Sequence, residues 1–323
     1  MSILVRRSND SLAGNGVLGD REGRVSPAHT DHTVLFSVSV HFPPSRDPRN
    51  SMHQPSPATV RCIGLGRTYA ARRGDPVHAL DGLDLTLEPE TITVLIGPSG
   101  CGKSTLLRLI GGLDTPTTGE VRIGNRTADD ARQAKQFGFV PQAPTLLSWR
   151  SVRDNVRLLT EVNVKASGKA ASSNAEVDAM LAAVGLRGFE SARPSTLSGG
   201  MAQRVALARA FVLCADVLLL DEPFAALDEL TRAEMRRLLC ELWVAHRSTV
   251  VFSTHDLNEA VLLADRVIVL SGRPGRIIAD IPVGLMRPAP EGLEDTPAFG
   301  DALRGVRAAL RAAQQQTTIG SAS

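Results

Sequence analysis

An α/β fold built on a mainly parallel sheet is what this sequence predicts, on three observations. From Thr59 onward, short aliphatic runs alternate with stretches of helical periodicity. A glycine-rich loop, Gly97-Pro-Ser-Gly-Cys-Gly-Lys-Ser104, lies between one such run and one such helix. A second run ends in two adjacent carboxylates, Asp221 and Glu222.

The elements follow in order. Thr91–Ile96 reads as a buried strand, and Ser104–Ile110 as the helix after the loop. Met201, Val205, Ala208 and Val212 recur at helical spacing, as do Met235, Leu238, Leu242 and Ala245, and both stripes read as core packing. Val217–Leu220, Thr249–Phe252 and Val267–Leu270 are three further strands. Small polar residues make Lys165–Asn174 a loop inside a helical insertion. After a proline-rich turn at Pro288–Pro290, a last amphipathic helix is expected from about Ala298 to Ala313.

Residues 1–57 have a different texture, rich in Ser, Pro, Asn, Arg and Asp, and predict a disordered extension. Within it Phe36, Val38, Val40 and Phe42 alternate with polar residues, so this island either docks on a sheet edge or stays loose. Met52 is an alternative start.

Composition narrows the function classes. Of 323 residues, 36 are Lys or Arg and 34 Asp or Glu, a net charge of +2, which excludes binding to nucleic acid or lipid by bulk charge. Hydrophobic residues at 43% suffice for a sizeable core. No apolar run approaches the ~20 residues that span a bilayer; the stretch Ala260–Leu270 is broken by Asp265 and Arg266. Arg6 and Arg7 are followed by no apolar stretch of signal-peptide type. Cys62, Cys101, Cys214 and Cys240 lack metal or paired spacing and read as reduced thiols.

The loop fits G-x-x-x-x-G-K-[ST] in its proper setting, after a strand and before a helix. Glycines at 97, 100 and 102, with Pro98, Ser99 and Cys101 between them, let successive N–H groups and the helix N-terminus face an anion. Lys103 is expected at the β- and γ-phosphates and the Ser104 hydroxyl at Mg²⁺, with Thr105 next in the helix. Asp221 is a further candidate for the metal, and Glu222, expected to point the other way by strand alternation, a candidate to polarise water. Cys101 is a small filler within the loop. A second anion site is expected at Ser198-Gly199-Gly200, ahead of the helix of Val205 and Ala208. Its natural use is to close over a phosphate held by another copy.

In these motifs, their order and their spacing, residues 59–281 resemble the ATP-binding-cassette (ABC) family of transporter ATPases. The resemblance implies a RecA-like core with an antiparallel β subdomain and a helical subdomain. It places the ATP-binding domain at 58–285, the helical part at about 143–200 and a helical tail at 286–323. It implies that Tyr69 stacks on adenine, that Gln142 touches Mg²⁺ and the lytic water, and that Glu222 is the catalytic base. Lys103 and His255 would contact the γ-phosphate, with His255 bracing Glu222. Asp228, in Ala225-Ala-Leu-Asp228, would lie in a loop crossing the dimer interface, although many members have Ser or Gly where Ala225 stands. ATP and Mg²⁺ would be sandwiched between head-to-tail copies. A separate permease would span the membrane, an extracytoplasmic binding protein would deliver cargo, and this chain would sit at the cytoplasmic face.

Three stretches look like the nitrate, sulfonate and taurine importer branch: Leu146–Trp149 with Val152–Val156, Asp221–Asp228, and Leu270–Ile277. Ser148 departs from the branch's usual proline. That branch includes importers of heteroaromatic precursors, and an exporter cassette is the nearest alternative. A soluble cassette acting on ribosomes or DNA is disfavoured by the single set of motifs and the short span from Lys103 to Asp221, and a non-hydrolysing cassette by the filled catalytic positions. Trp149, beside Arg150 and Arg153, either anchors the permease or packs within its own subdomain.

Overall fold

The computed structural model describes residues 58–70, 74–162, 164–168, 170–290 and 292–320. The island at Phe36–Phe42 and the candidate start Met52 lie outside them. In chain order the elements are β1 (Val60–Tyr69), β2 (Val77–Leu87), β3 (Ile92–Ile96), α1 (Lys103–Ile110), β4 (Thr118–Ile123), β5 (Arg126–Thr127), α2 (Ala128–Gln133), β6 (Phe137–Val140) and α3 (Val152–Glu161). There follow α4 (Val164–Ser167), α5 (Asn174–Ala183), α6 (Gly199–Phe211), β7 (Val217–Asp221), α7 (Glu229–His246), β8 (Thr249–Ser253), α8 (Leu257–Leu263), β9 (Arg266–Leu270), β10 (Ile277–Pro282) and α9 (Pro297–Gly320).

Two sheets result. The larger runs β10-β9-β3-β8-β7-β6. Its neighbours are parallel except β10, which pairs antiparallel with β9 at the edge. The smaller sheet, β2-β1-β4-β5, is antiparallel throughout. Strands β3, β7 and β8 are buried at every residue, which is why they read as unbroken aliphatic runs rather than alternating ones. Alternate side chains feed two cores. Val94, Leu218, Leu220, Val250 and Phe252 face the side covered by α6, α7 and α8. Leu95, Val217, Leu219 and Val251 face the side filled by α1 and the smaller sheet.

Three local expectations are corrected. Lys165–Ser167 lie in α4, so the segment to Asn174 is not wholly a loop. Ala245 is exposed, because α7 ends at His246 with Arg247 in a left-handed cap, and its last turn leaves the core. The final helix runs from Pro297 to Gly320, longer than Ala298–Ala313. Leu293, Phe299, Val306 and Ala313 hold this tail region to the main core, with α9 against α8, β9 and β10.

The helical insertion is fastened by polar side chains. Arg153 on α3 makes two parallel hydrogen bonds to Asp178 on α5, at 2.7 and 2.9 Å. Asn155, fully buried, accepts from the Leu147 N–H at 2.8 Å and donates to the carbonyls of Leu147, Arg150 and Ser151. Arg193 donates to the carbonyl of Trp149. The loop is therefore fixed from below while the Trp149 ring is 71% exposed, so it does not pack within its own subdomain.

Candidate functional site

Parallel pairing brings three strand ends into a row. Leu95 of β3 is opposite Ser253 of β8, and Ser253 is opposite Asp221 of β7. The glycine loop leaves the first of these ends, so the loop, Asp221 and Ser253 converge at the carboxyl edge of the sheet, where open α/β sheets bind ligands.

The loop is tightly housed. Gly97 has no room for a side chain, since a Cβ there would stand 2.8 Å from the Cys101 Sγ and 2.9 Å from the Leu270 carbonyl. Gly102, at φ 99°, precedes α1 in the left-handed region, and a Cβ would meet the side chain of Leu80 at 2.6 Å. The Cys101 N–H donates to the Pro98 carbonyl, closing the turn around Ser99 and Gly100. Pro98 is half-buried, Ser99 and Gly100 are exposed, and Thr105 is half-buried in the first turn of α1. Cys101 is buried, and burial raises its thiol pKa, which fits an inert filler. All four cysteines are free, as the sequence predicts. A turn at Ser271–Arg276 wedges the loop from outside. Gly275 lies so close that a Cβ would be 2.1 Å from the Cys101 carbonyl, and Gly275 N–H donates to Ala79 O at 2.9 Å.

Around the loop sit the polar groups. Lys103 is 7% exposed, donates to the Gly97 carbonyl at 3.1 Å and has its Nζ 3.6 Å from Glu222 Oε1. Ser104 Oγ donates to Asp221 Oδ1 at 2.9 Å, and Ser253 Oγ donates to the same oxygen at 2.9 Å. His255 Nδ1 is 3.1 Å from Glu222 Oε2. The structure thus gathers Lys103, Ser104, Asp221, Glu222 and His255 into one cluster.

Glu222 reaches the cluster by a route the sequence reading missed. It does not point away by strand alternation: its φ is 43°, left-handed and unusual for a glutamate. Its N–H donates to the Ser253 carbonyl at 3.1 Å and to Ser253 Oγ at 3.0 Å, which holds the turn. Ser253 was absent from the expected site residues. The signal for it is the polar residue closing an otherwise apolar run, Thr249-Val-Val-Phe-Ser253.

The remaining residues lie on other elements. Gln142 is exposed two positions beyond β6, whose Val140 pairs with Leu220 of β7, and it makes no hydrogen bond to the cluster among the described residues. Arg209, buried on α6, donates to the carbonyls of Pro144 and Thr145 at 2.8 and 3.1 Å and so steadies the segment after Gln142. Tyr69 is half-buried at the end of β1. Its hydroxyl donates to Asp114 at 2.7 Å, and the Arg67 guanidinium lies 4.6 Å over its ring. One face of that ring is therefore covered by a cation rather than by the core.

The second glycine cluster stands apart from this one. Ser198 caps α6, its hydroxyl accepting from the Met201 N–H, and Gly199 meets nothing within 4 Å of a would-be Cβ. With Asp228 and Thr231, Ser198, Gly199 and Gly200 line a cavity of about 640 Å³. Asp228 caps α7, and the Thr231 N–H and hydroxyl that it accepts hold its carboxyl below the usual pKa.

Ser104 and Asp221 offer a hydroxyl and a carboxylate, hard oxygen donors suited to Mg²⁺. Among the described residues no group of three His, Cys, Asp or Glu could hold a metal by itself.

The comparisons agree with this geometry. A profile of the ABC transporter family matches residues 80–225. The aliphatic sulfonates import ATP-binding protein SsuB 1 of Xanthomonas axonopodis pv. citri is 44% identical over 77% of this chain and 96% of its own length. SsuB 2 of Streptomyces avermitilis is 45% identical over 80% and 92%. The dimeric structure of MJ0796, a bacterial ABC transporter cassette, is 31% identical over 70% of this chain and all of that one, with a TM-score of 0.61. A post-hydrolysis state of the same cassette bound to ADP and Pi has a TM-score of 0.61 at 30% identity. With its loop, its carboxylate pair and its second glycine cluster on one chain, the protein belongs to the ATP-binding subunits of ABC transporters and is an ATPase.

Proposed function

We propose that this chain powers the uptake of aliphatic sulfonates or similar small organic anions, as one of two copies beneath a membrane permease. The observation that carries the mechanism is the presence of two unlike half-sites on one chain: a furnished cluster at Lys103–Glu222 and an open cavity at Ser198–Gly200. ATP bound on the loop of one copy is then completed by Ser198-Gly-Gly200 of the other, with Asp228 at the seam. The sulfonate reading is supported by the names of the SsuB relatives.

Lys103 and the N–H groups of Gly97–Thr105 bind phosphate charge, and Tyr69 offers the ring face away from Arg67 to adenine. Ser104, Asp221 and Gln142 would hold Mg²⁺, which would neutralise phosphate charge. Glu222 orients the attacking water and accepts its proton, while His255 fixes the carboxylate and touches the γ-phosphate. The permease reading is supported by the pinned, exposed Trp149 and by an apolar groove of about 490 Å³ lined by Leu113, Phe137, Phe139, Leu159 and Val162. Among the described residues no helix is long and apolar enough to cross a membrane.

The test is hydrolysis by the purified chain as a function of its own concentration. Turnover per chain is expected to rise with concentration. Glu222→Gln should bind ATP, accumulate as a dimer and hydrolyse about 10²–10⁴-fold more slowly. Turnover per chain independent of concentration in a strict monomer would overturn the shared site. Uptake of a labelled alkanesulfonate by cells carrying the chain and its permease tests the cargo.

A further inference from the structure

Arg232 lies in the first turn of α7 and touches two loops that the mechanism uses separately. Its Nη2 donates to the carbonyl of Leu227 at 2.8 Å, inside the loop that ends at Asp228. Its Nη1 donates to Glu229 at 2.9 Å and stands 3.7 Å from Asp256 Oδ2, in the turn that carries His255. The group is 22% exposed, and a planar guanidinium holds its donors in a fixed relation.

Asp256 is itself well anchored. It caps α8 by accepting from the N–H groups of Asn258 and Glu259 at 2.8 and 3.1 Å, and its own N–H donates to Thr254 Oγ1 at 3.0 Å. The Thr254 N–H donates to the Leu95 carbonyl at 3.2 Å. His255 is thus a 65% exposed ring on a backbone fixed on both sides, and its Nδ1 meets Glu222. Arg232 joins this frame to the Leu227 carbonyl. On the other side of the same helix turn, a Cβ on Gly200 would stand 2.9 Å from the Thr231 side chain, so Gly200 packs on α7 too.

We propose that Arg232 is a positioning residue: it ties the Asp228 loop to the His255 turn, so that engagement of the loop by a second copy sets the His255–Glu222 geometry. This rests on the reading of Glu222 and His255 as the pair that places water. A displacement of the Leu227 carbonyl carries the guanidinium with it, and the guanidinium draws on Asp256. Small misplacements at a reacting centre are amplified, a shift of ~1 Å costing about 10²-fold in rate.

The experiment compares the full-length chain with Arg232→Ala, Arg232→Lys, Asp256→Asn and the Arg232→Ala/Asp256→Asn double variant, measuring kcat, KM for ATP and Tm. Asparagine at 256 keeps the α8 cap and removes only the charge that faces Arg232. Arg237→Ala is the control, since Arg237 is 65% exposed on the same helix and pairs with Glu241. Arg232→Ala is expected to lower kcat about 10- to 100-fold with KM changed less than about threefold. The double variant should be no slower than Arg232→Ala alone, because both remove one link. Arg232→Lys keeps the charge without the fork and should fold and remain slowed, which keeps the proposal testable if the alanine variant does not fold. Wild-type kcat in Arg232→Ala, losses that multiply in the double variant, or a kcat loss that follows Tm would each overturn it. Glu222→Gln run alongside separates the failures. Full turnover there removes the reading of the water-placing pair, whereas a silent Glu222→Gln with a normal Arg232→Ala removes only this link.

Discussion

Two helices of this chain start at glycine-rich segments, and they are built by opposite means. The start of α1 is enclosed: Gly102 is forced left-handed against Leu80 and Ala79, no side chain caps the helix, and Lys103 stands beside Glu222. The start of α6 is open: Ser198 caps it in an ordinary extended conformation, and Gly199 borders a cavity with empty space where a side chain would be. At α1 the glycine is required by its own chain. At α6 nothing among the described residues requires a glycine at 199, as the proposed closure of this face over a second copy's phosphate would explain.

Substitutions at the two glycines break or sharpen that contrast. Gly102→Ala should be the more damaging. Left-handed backbone costs an alanine about 1–2 kcal/mol, and the contact with Leu80 forces the loop to move. ATP affinity of the isolated chain, read by nucleotide titration, is expected to fall about tenfold or more. Gly199→Ala should raise stability by about 0.4–1 kcal/mol in thermal or denaturant unfolding, since alanine suits the helix. Its nucleotide affinity as an isolated chain should stay unchanged while dimer-dependent turnover drops. An unchanged turnover would mean that the open cavity receives no phosphate.

A second contrast concerns exposed and buried side chains. Trp149→Ala should leave unfolding free energy within about 0.5 kcal/mol, yet reduce co-purification of the permease about tenfold. Normal co-purification would discard Trp149 as the anchor. Glu259 is the buried counterpart, 4% exposed, with Oε1 lacking a hydrogen-bond partner among the described residues. Burial pushes its pKa up from 4.5 to about 7, against the Thr254 hydroxyl and with Asp256, Arg236 and Arg232 around it. A carboxyl whose folded pKa exceeds its unfolded one binds its proton more tightly in the folded state. Its contribution is therefore present below about pH 4.5 and lost as pH rises toward about 7. Glu259→Gln should remove that loss, about 1–3 kcal/mol, when the two proteins are compared by denaturant unfolding at pH 4.5 and pH 7.5. Parallel pH slopes for both would show that Glu259 ionises normally.

Much of the parallel sheet and its furnished site could be read from sequence because each part is local. Runs buried on both faces spell out β3, β7 and β8, and the glycine loop follows its strand directly. What escaped were relations fixed across the chain. Ser253 enters the site only because β7 and β8 pair in register, and Glu222 turns inward through its own left-handed backbone, held by that same serine. Arg209 and Arg232 are helix arginines like any others until their carbonyl partners on distant loops are seen. The exposure of Trp149 was likewise undecidable in one dimension, because it depends on Asn155 and Arg193 holding the loop from beneath.

The turn Leu270–Ile277 is one of the stretches by which this chain resembles a particular group of importers. Position 275 presses on the carbonyl of Cys101 with no space for even a methyl group. A glycine in one of these stretches is thus demanded by the packing of the phosphate loop. Exchanging this turn for one with a bulkier residue at 275 should therefore disturb the loop that holds ATP, a change that phosphate release would read.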